Sequence, residues 1–387
     1  MRSGGVRATG AHSLATLAVA FLAGCGGEPG GGTGTRAAGD VAGARAEVEK
    51  YEGVPRFVPP GPAFDAAGLL RGKTVFEIPI TSEVPFITAV EEGMEQAADV
   101  VGARLVVYPN QGEPSQWAQG IRAAIAQRAD VITLFAQDPA LLGPQIRQAE
   151  EAGIPVVVVR TSGEEEPCQA DPEGEVYGTA CVPGPFEQAG RLEADWVIAD
   201  SGGQANVLVV TASDARSTVP LLAGLEAEFA DRCRGCRVRY VDVPIPDWAT
   251  RVQTEVQSAL VADPTIDYVI PIYDSMSRYV VPALLAVGAA DRVKIATFNG
   301  TPFVLEMLQD ADMVAMDVGE NLAWLGWATM DQAFRLAAGV EPAPSQNTAL
   351  RVFTDANVAE AGRPPRLDGG YGDAYVAGYR RLWGLGG

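Results

Sequence analysis

From Lys73 onward, short runs of Val, Ile and Leu alternate with longer stretches whose apolar residues recur every three or four positions. KTVFEIPI (Lys73–Ile80), ARLVVYP (Ala103–Pro109), DVITLFA (Asp130–Ala136) and IPVVVVR (Ile154–Arg160) predict strands buried on both faces. Between them Phe86, Ala89, Val90, Gly93, Met94, Ala97, Ala98 and Val101 fall on one helical face, and Gln116–Arg128 and Ala140–Ala152 predict two more helices. An acidic loop, Thr161–Glu173, interrupts the rhythm, which then resumes. Strands are predicted at Ala205–Thr211, Arg237–Val243, Asp267–Tyr273, Val293–Gly300 and Met313–Asp317. Helices centre on Ala194, Leu225, Val256, Leu285 and Met307, followed by a long one at Leu322–Ala338. Strands separated by amphipathic helices predict an α/β fold with parallel, doubly wound sheets, and two such units in series predict two lobes. At the end of the chain Tyr371, Tyr375, Tyr379 and Trp383 stand four apart, which predicts a short helix packed on a lobe.

The N-terminal part is of another kind. Arg2 and Arg7 precede an apolar run, Leu14–Leu22, of the length of a secretory h-region and short of a bilayer span. Leu22-Ala23-Gly24-Cys25 resembles a bacterial lipobox, which implies a signal peptide over 1–24 and a diacylated Cys25. Gly26 to about Gly43 reads as a flexible tether. The Pro-rich stretch Ala44–Gly72 reads as an extended lead-in against the domain surface, so that 25–72 holds anchor, tether and lead-in. The expected location is the outer face of the cell membrane, with contact to the bilayer only through the lipid.

Composition narrows the chemistry. The 387 residues carry a formal charge of −20, which argues against nucleic acid, whose phosphates need clustered Lys and Arg. The single histidine, His12, lies within the signal peptide, so the mature chain has no imidazole for Ser-His-Asp or Cys-His catalysis and little for zinc. Lys50, Lys73 and Lys294 are the only lysines. No enzyme activity, metal or cofactor is expected. Cys168, Cys181, Cys233 and Cys236 form an even set outside the cytoplasm and predict two disulfides, with local pairing the simplest of the three connectivities. The CRGC spacing also suits a redox thiol, but it follows a helix end and precedes a strand, where nothing lowers a thiol pKa; a loop staple is the preferred reading.

Three segments carry a resemblance. IPITSEVPFITAVEEGMEQAADVVGARLVV, AIAQRADVITLFAQD and QAEEAGIPVVVV resemble the N-terminal lobe of type I periplasmic binding proteins of the ribose/galactose class. VQSALVADPTIDYVIPIYDSMSRYVVPALLAVG, VKIATFNGTPFVLEMLQD and GWATMDQAFRLAAG are similar to the second lobe and its return helix. The resemblance runs from about Lys73 to Phe353. It implies two lobes joined by a three-strand hinge, with crossings near Cys181–Gly184, Glu320–Asn321 and Gln346–Leu350. The N-terminal lobe is then 73–182 plus 321–347, and the C-terminal lobe and tail 183–320 plus 348–387. It also implies a monomeric receptor that traps a small molecule, a monosaccharide or derivative, and serves an ABC transporter permease.

In this fold ligands sit beyond the carboxyl ends of the strands. The resemblance assigns a ring-stacking role to Phe86 and Trp248. The family's polar residue before the proline is replaced by Val84, with Glu83 and Ser82 as substitutes. Gln137 and Asp138 end the third strand, Asp138 equally suited to capping the following helix. Arg160, closing four valines, either forks ligand oxygens or holds a protein carboxylate. Tyr273 and Asn299 stand where the family reads hydroxyls, Asp274 suits a helix cap, and Glu320 lies at the hinge. The family's arginine after the sixth strand is Val219 here, with Arg216 and Thr218 nearby. The expected activity is capture of a sugar or sugar-like ring by lobe closure. The alternatives are a sensory lipoprotein, a carboxylate-based glycoside hydrolase drawing on Glu83, Asp138 and Glu320, and binding of a nucleoside, sugar acid or other polar ring.

Overall fold

The computed structural model describes residues 40–164, 175, 177–311, 313–344, 346 and 348–386. The expected signal peptide, the Cys25 anchor, most of the tether and Cys168 lie outside the described residues. In chain order the elements are α1 (Val41–Glu49), α2 (Ala66–Leu69), β1 (Thr74–Pro79), α3 (Pro85–Val101), β2 (Arg104–Val107), α4 (Pro114–Gln127), β3 (Val131–Phe135), α5 (Gly143–Glu151), β4 (Val156–Gly163) and β5 (Ala180–Gly184). There follow α6 (Phe186–Asp200), β6 (Asn206–Thr211), α7 (Thr218–Arg232), β7 (Arg237–Asp242), α8 (Gln253–Ala262), β8 (Tyr268–Pro271), α9 (Ser277–Ala286), β9 (Lys294–Asn299), α10 (Pro302–Gln309), β10 (Val314–Glu320), α11 (Leu322–Ala337), β11 (Leu350–Thr354) and α12 (Ala374–Leu382).

Among the described residues the strands form two sheets, ordered β2-β1-β3-β4-β5 and β11-β10-β9-β8-β6-β7. Every pairing is parallel except β10 with β11. Inner strands β1, β3, β4, β6 and β8 are buried along their whole length, because helices cover both faces. The edge strand β7 instead alternates exposed Arg237, Arg239 and Asp242 with apolar residues, and those charges discourage pairing with another chain.

Each sheet has its own core. The first gathers Val75, Ile78, Leu134, Val157 and the buried faces of α3 and α11; the second gathers Val207, Val209, Ile270, Ala296 and Val318. Helices α3 and α11 touch through glycine. A Cβ on Gly93 would lie 2.8 Å from the Cα and carbonyl oxygen of Ala323, and one on Gly326 would lie 2.6 Å from the Gly93 carbonyl carbon. The chain passes between lobes after β5, after β10, and between α11 and β11.

Two further passages depart from the sequence reading. The lead-in is not irregular throughout: α1 buries Ala44 and Val48 in the second core, and Asp40 caps it through the Gly43 amide at 3.0 Å. The chain then runs past β11, where Tyr51 and Glu52 carbonyls accept from Val352 N (2.8 Å) and Arg351 Nε (2.9 Å). It reaches the first lobe at Phe57, edge-on to Tyr379 at 5.0 Å, and at Phe64, whose amide donates to Leu382 O at 2.7 Å. The tail was grouped with the C-terminal lobe, and β11 and Tyr371 do lie there. Helix α12, however, sends Tyr375, Tyr379, Leu382 and Trp383 into the first core. Asp331 draws it there, accepting from Trp383 Nε1 (2.8 Å) and from Arg335 Nε (2.8 Å) deep in α11. Cys233 and Cys236 form a disulfide, and Cys181 is disulfide-bonded as well. Among the described residues no helix is long and apolar enough to cross a membrane.

Candidate ligand-binding cleft

Strand order places the cleft. In the first sheet the order turns at β1/β3 and in the second at β6/β8, and at such switch points the loops leave in opposite directions and open a crevice beyond the carboxyl ends. Those ends supply both walls of one cavity: Ile80, Val84, Phe86 and Ala136 from the first lobe, Ala215, Trp248, Tyr273 and Asn299 from the second, with Arg160 between. These side chains enclose a narrow cavity between the two lobes.

Backbone conformation marks the same place. Ala136, Arg160 and Asn299 have φ of 72°, 59° and 148°, values that side chains with a Cβ rarely adopt, and all three line the cavity. Each costs about 1–3 kcal/mol, and such strain concentrates where side chains must be aimed at a ligand. At Arg160 the β4–β5 register shifts between Val159 and Gly163. Strand β4 therefore does not end at Arg160, as the sequence suggested, but bulges there and runs on to Gly163.

The aimed arginine is held by the protein. Its Nη1 donates to Glu320 Oε2 at 2.5 Å, with the two side chains 3 % and 0 % exposed. Its Cζ lies 4.5 Å from the Phe186 ring centroid, 5.4 Å from Phe86 and 5.7 Å from Phe298. The other Glu320 oxygen accepts from Thr348 Oγ1. Of the two roles the sequence left open, holding a protein carboxylate is the one the structure realises. Trp248 and Tyr273 share the opposite wall with centroids 6.3 Å apart. Trp248 Nε1 donates to Val243 O at 3.0 Å, and Tyr273 Oη lies 2.7 Å from Ser217 Oγ and 2.9 Å from Thr218 Oγ1. Asn299 Oδ1 is buried and has no partner.

Phe86, Arg160, Trp248, Tyr273 and Asn299 thus meet in the cleft, and other expected residues do not. Glu83 is exposed outside it, where its amide donates to Thr81 Oγ1; Val84 itself lines the wall. Gln137 is buried, donating from Nε2 to Ile78 O at 2.7 Å. Asp138 accepts from Ala140 N at 3.0 Å, the capping alternative, and lies 3.7 Å from Arg216 across the cleft. Glu320 sits behind Arg160 rather than on the wall. Asp274 does not cap its own helix: it accepts from Thr301 N (2.6 Å) and Oγ1 (2.8 Å), tying the β8 end to the start of α10. The carboxylates a hydrolase would need do not converge. The aliphatic wall of Ile80, Ile87 and Ile245 was missed, although Ile80 and Ile245 stand in IPIT and VPIPDW, next to residues already singled out.

Beneath the second-lobe wall lies a set of buried acids. Burial raises Asp274 to about 6, against the pull of hydrogen bonds from Thr301, Ser275 and Asn299. Burial, and then the Asp274 charge, holds Asp317 well above the carboxylate range; Glu193 is raised by burial and by Asp317. Among the described residues no group of three or more His, Cys, Asp or Glu is placed to hold a metal.

Two parallel-sheet lobes, crossed repeatedly by the chain and lining one cleft with strand ends, define the class of two-lobe α/β ligand-binding receptors. Residues 76–341 match the periplasmic binding protein domain, and the chain belongs to that family. The ribose import binding protein of Escherichia coli (strain K12) is 23% identical over 256 residues, covering 65% of this chain and 80% of that protein. Among solved structures, a sugar ABC transporter protein of Yersinia enterocolitica aligns with a TM-score of 0.70 at 15% identity, over 85% of this chain and 98% of that one. A Caulobacter myo-inositol binding protein, solved with myo-inositol, aligns with a TM-score of 0.66 at 21% identity, over 76% and 98%.

Proposed function

We propose that this chain is a lipid-anchored, extracytoplasmic solute-binding protein that captures a sugar or sugar-like ring by lobe closure and delivers it to an ABC importer, without chemistry on the ligand. The observation that carries the reading is the convergence of Phe86, Trp248, Tyr273 and the strained Ala136, Arg160 and Asn299 on one interlobe cavity. In this reading 73–182 with 321–347 and 183–320 are the bodies that move, and Phe86 and Trp248 take the two faces of the ring. Closure requires that the ligand bind the closed arrangement better than the open one. The kinship with ribose import proteins supports a hydroxylated ring as ligand and a permease as partner. The receptor acts as a monomer and touches the bilayer only through the acylated Cys25.

Native mass spectrometry of the protein purified without added ligand tests capture, and small-angle scattering after unfolding, dialysis and refolding tests closure. A co-purified ring compound whose return contracts the protein is the expected result. Turnover of a glycoside, or no contraction with any ring compound, refutes the reading. Cys25→Ser is expected to release the protein into the medium and abolish labelling by a clickable fatty acid; unchanged membrane retention refutes the anchor.

A further inference from the structure

We propose, resting on the binding role above, that the cleft selects an uncharged ring poor in hydroxyl groups, a deoxygenated or alkylated sugar-like ring, with one hydrogen-bond donor directed at Asn299 Oδ1. Three observations carry this. Charge is answered within the protein: among the described residues Arg160 is the one lining residue with a fixed charge, and Glu320 meets it at 2.5 Å. A ligand carboxylate would have to compete with Glu320, and a ligand cation finds no carboxylate on the wall. The further N–H groups of the guanidinium suit an ether or hydroxyl oxygen of a neutral ring.

The second observation is the wall itself. Ile80, Val84, Ile87, Ala136, Ala215 and Ile245 add aliphatic surface around the aromatic side chains. Polar groups on the wall are largely engaged: the Trp248 N–H by Val243 O, the Tyr273 hydroxyl by Ser217 and Thr218, and the Ser275 hydroxyl by Asp274 Oδ1 at 3.2 Å. A sugar hydroxyl stripped of water here without a partner lowers affinity about tenfold or more. The third is Asn299, a residue of the cavity wall, 2 % exposed, whose Oδ1 is a buried acceptor without a donor. One ring hydroxyl satisfies it; a second and third meet only hydroxyl oxygens of Ser217, Tyr273 and Ser275 that already take part in hydrogen bonds within the protein.

The test uses rings that differ in hydroxyl count while making few stereochemical demands. Cyclohexanol, trans-1,2-cyclohexanediol, myo-inositol and cyclohexanecarboxylate are titrated into the full-length protein in detergent, followed by ligand-observed NMR. Cyclohexanol or the diol is expected to bind at least about tenfold more tightly than myo-inositol, and the carboxylate not to compete. Asn299→Gly, which suits the backbone at φ 148°, is expected to weaken the alcohols about tenfold while the melting temperature holds. Equal or tighter binding of myo-inositol, binding of the carboxylate, or indifference to Asn299→Gly overturns the inference. If myo-inositol binds and contracts the protein, the receptor role stands and only this selectivity falls; if no ring binds or contracts it, both fall.

Discussion

Replacing Glu320 with Gln leaves the Arg160 guanidinium buried without its countercharge. Breaking a buried pair by removing one partner costs about 3–5 kcal/mol. Arg160 and Glu320 are 3 % and 0 % exposed, so solvent screens little of that. The three rings within 5.7 Å of the guanidinium remain and hold part of the charge, at about 0.5–2 kcal/mol for such a contact, which places the expected loss near the lower limit, about 3 kcal/mol. Arg160→Met is expected to cost a similar amount, because Glu320 is left with Thr348 alone. The double variant places a flexible apolar side chain among Phe86, Phe186 and Phe298 and restores neutrality, so its cost is expected to fall below the sum of the two by about 3 kcal/mol. Urea unfolding of the four proteins at pH 7 measures that coupling. Additivity within about 0.5 kcal/mol refutes a direct pair and returns Arg160 to the pool of ligand-binding charges.

Three more outcomes follow from the packing and the buried acids. Gly93→Val drives side-chain atoms into the Ala323 backbone and is expected to cost about 1–3 kcal/mol or more, seen as a lowered urea midpoint; an unchanged midpoint contradicts the α3–α11 contact. Asp274, raised to about 6 in the folded protein against about 3.9 unfolded, makes the native state the better proton binder between those values. Stability from this group is therefore greatest below about pH 4, falls as pH rises to about 6, and levels off above, a change of about 3 kcal/mol; Asp317 and Glu193 extend the fall upward. Melting temperature measured against pH should show that fall, and Asp317→Asn should flatten it; an equal slope in the variant contradicts the assignment. Phe57→Ala removes ring contacts with Tyr379 and Trp324 and is expected to cost about 1–3 kcal/mol by urea unfolding; no change means that the lead-in does not brace the first lobe.

The sequence by itself determined the alternation of strand and helix, and with it the two parallel sheets. A run such as VVVV at Val156–Val159 has one stable place, the middle of a covered sheet, and the amphipathic face beginning at Phe86 can only lie upon one. It also determined which loops carry the cleft, because strand ends are legible from the strands. Within those loops it was the family resemblance that picked out Phe86, Trp248, Tyr273 and Asn299, and all four line the cavity.

What a polar strand-end residue faces was decided by tertiary structure alone. Arg160 and Glu320 are 160 positions apart, and nothing local to either tells that each answers the other. Gln137 and Asp274 were likewise taken up by distant backbone, at Ile78 and Thr301, because a buried polar group must find a partner wherever the fold brings one near. The same holds for the chain ends. The tail's four-residue spacing announced a packed helix but not the lobe it joins, and the lead-in has no such spacing; Phe57, Phe64, Tyr379 and Trp383 are placed by contacts with α11 and one another that exist only once the first lobe has formed. Local pattern selects elements, since periodicity is a property of neighbouring residues. Pairing across the cleft is a property of the closed fold.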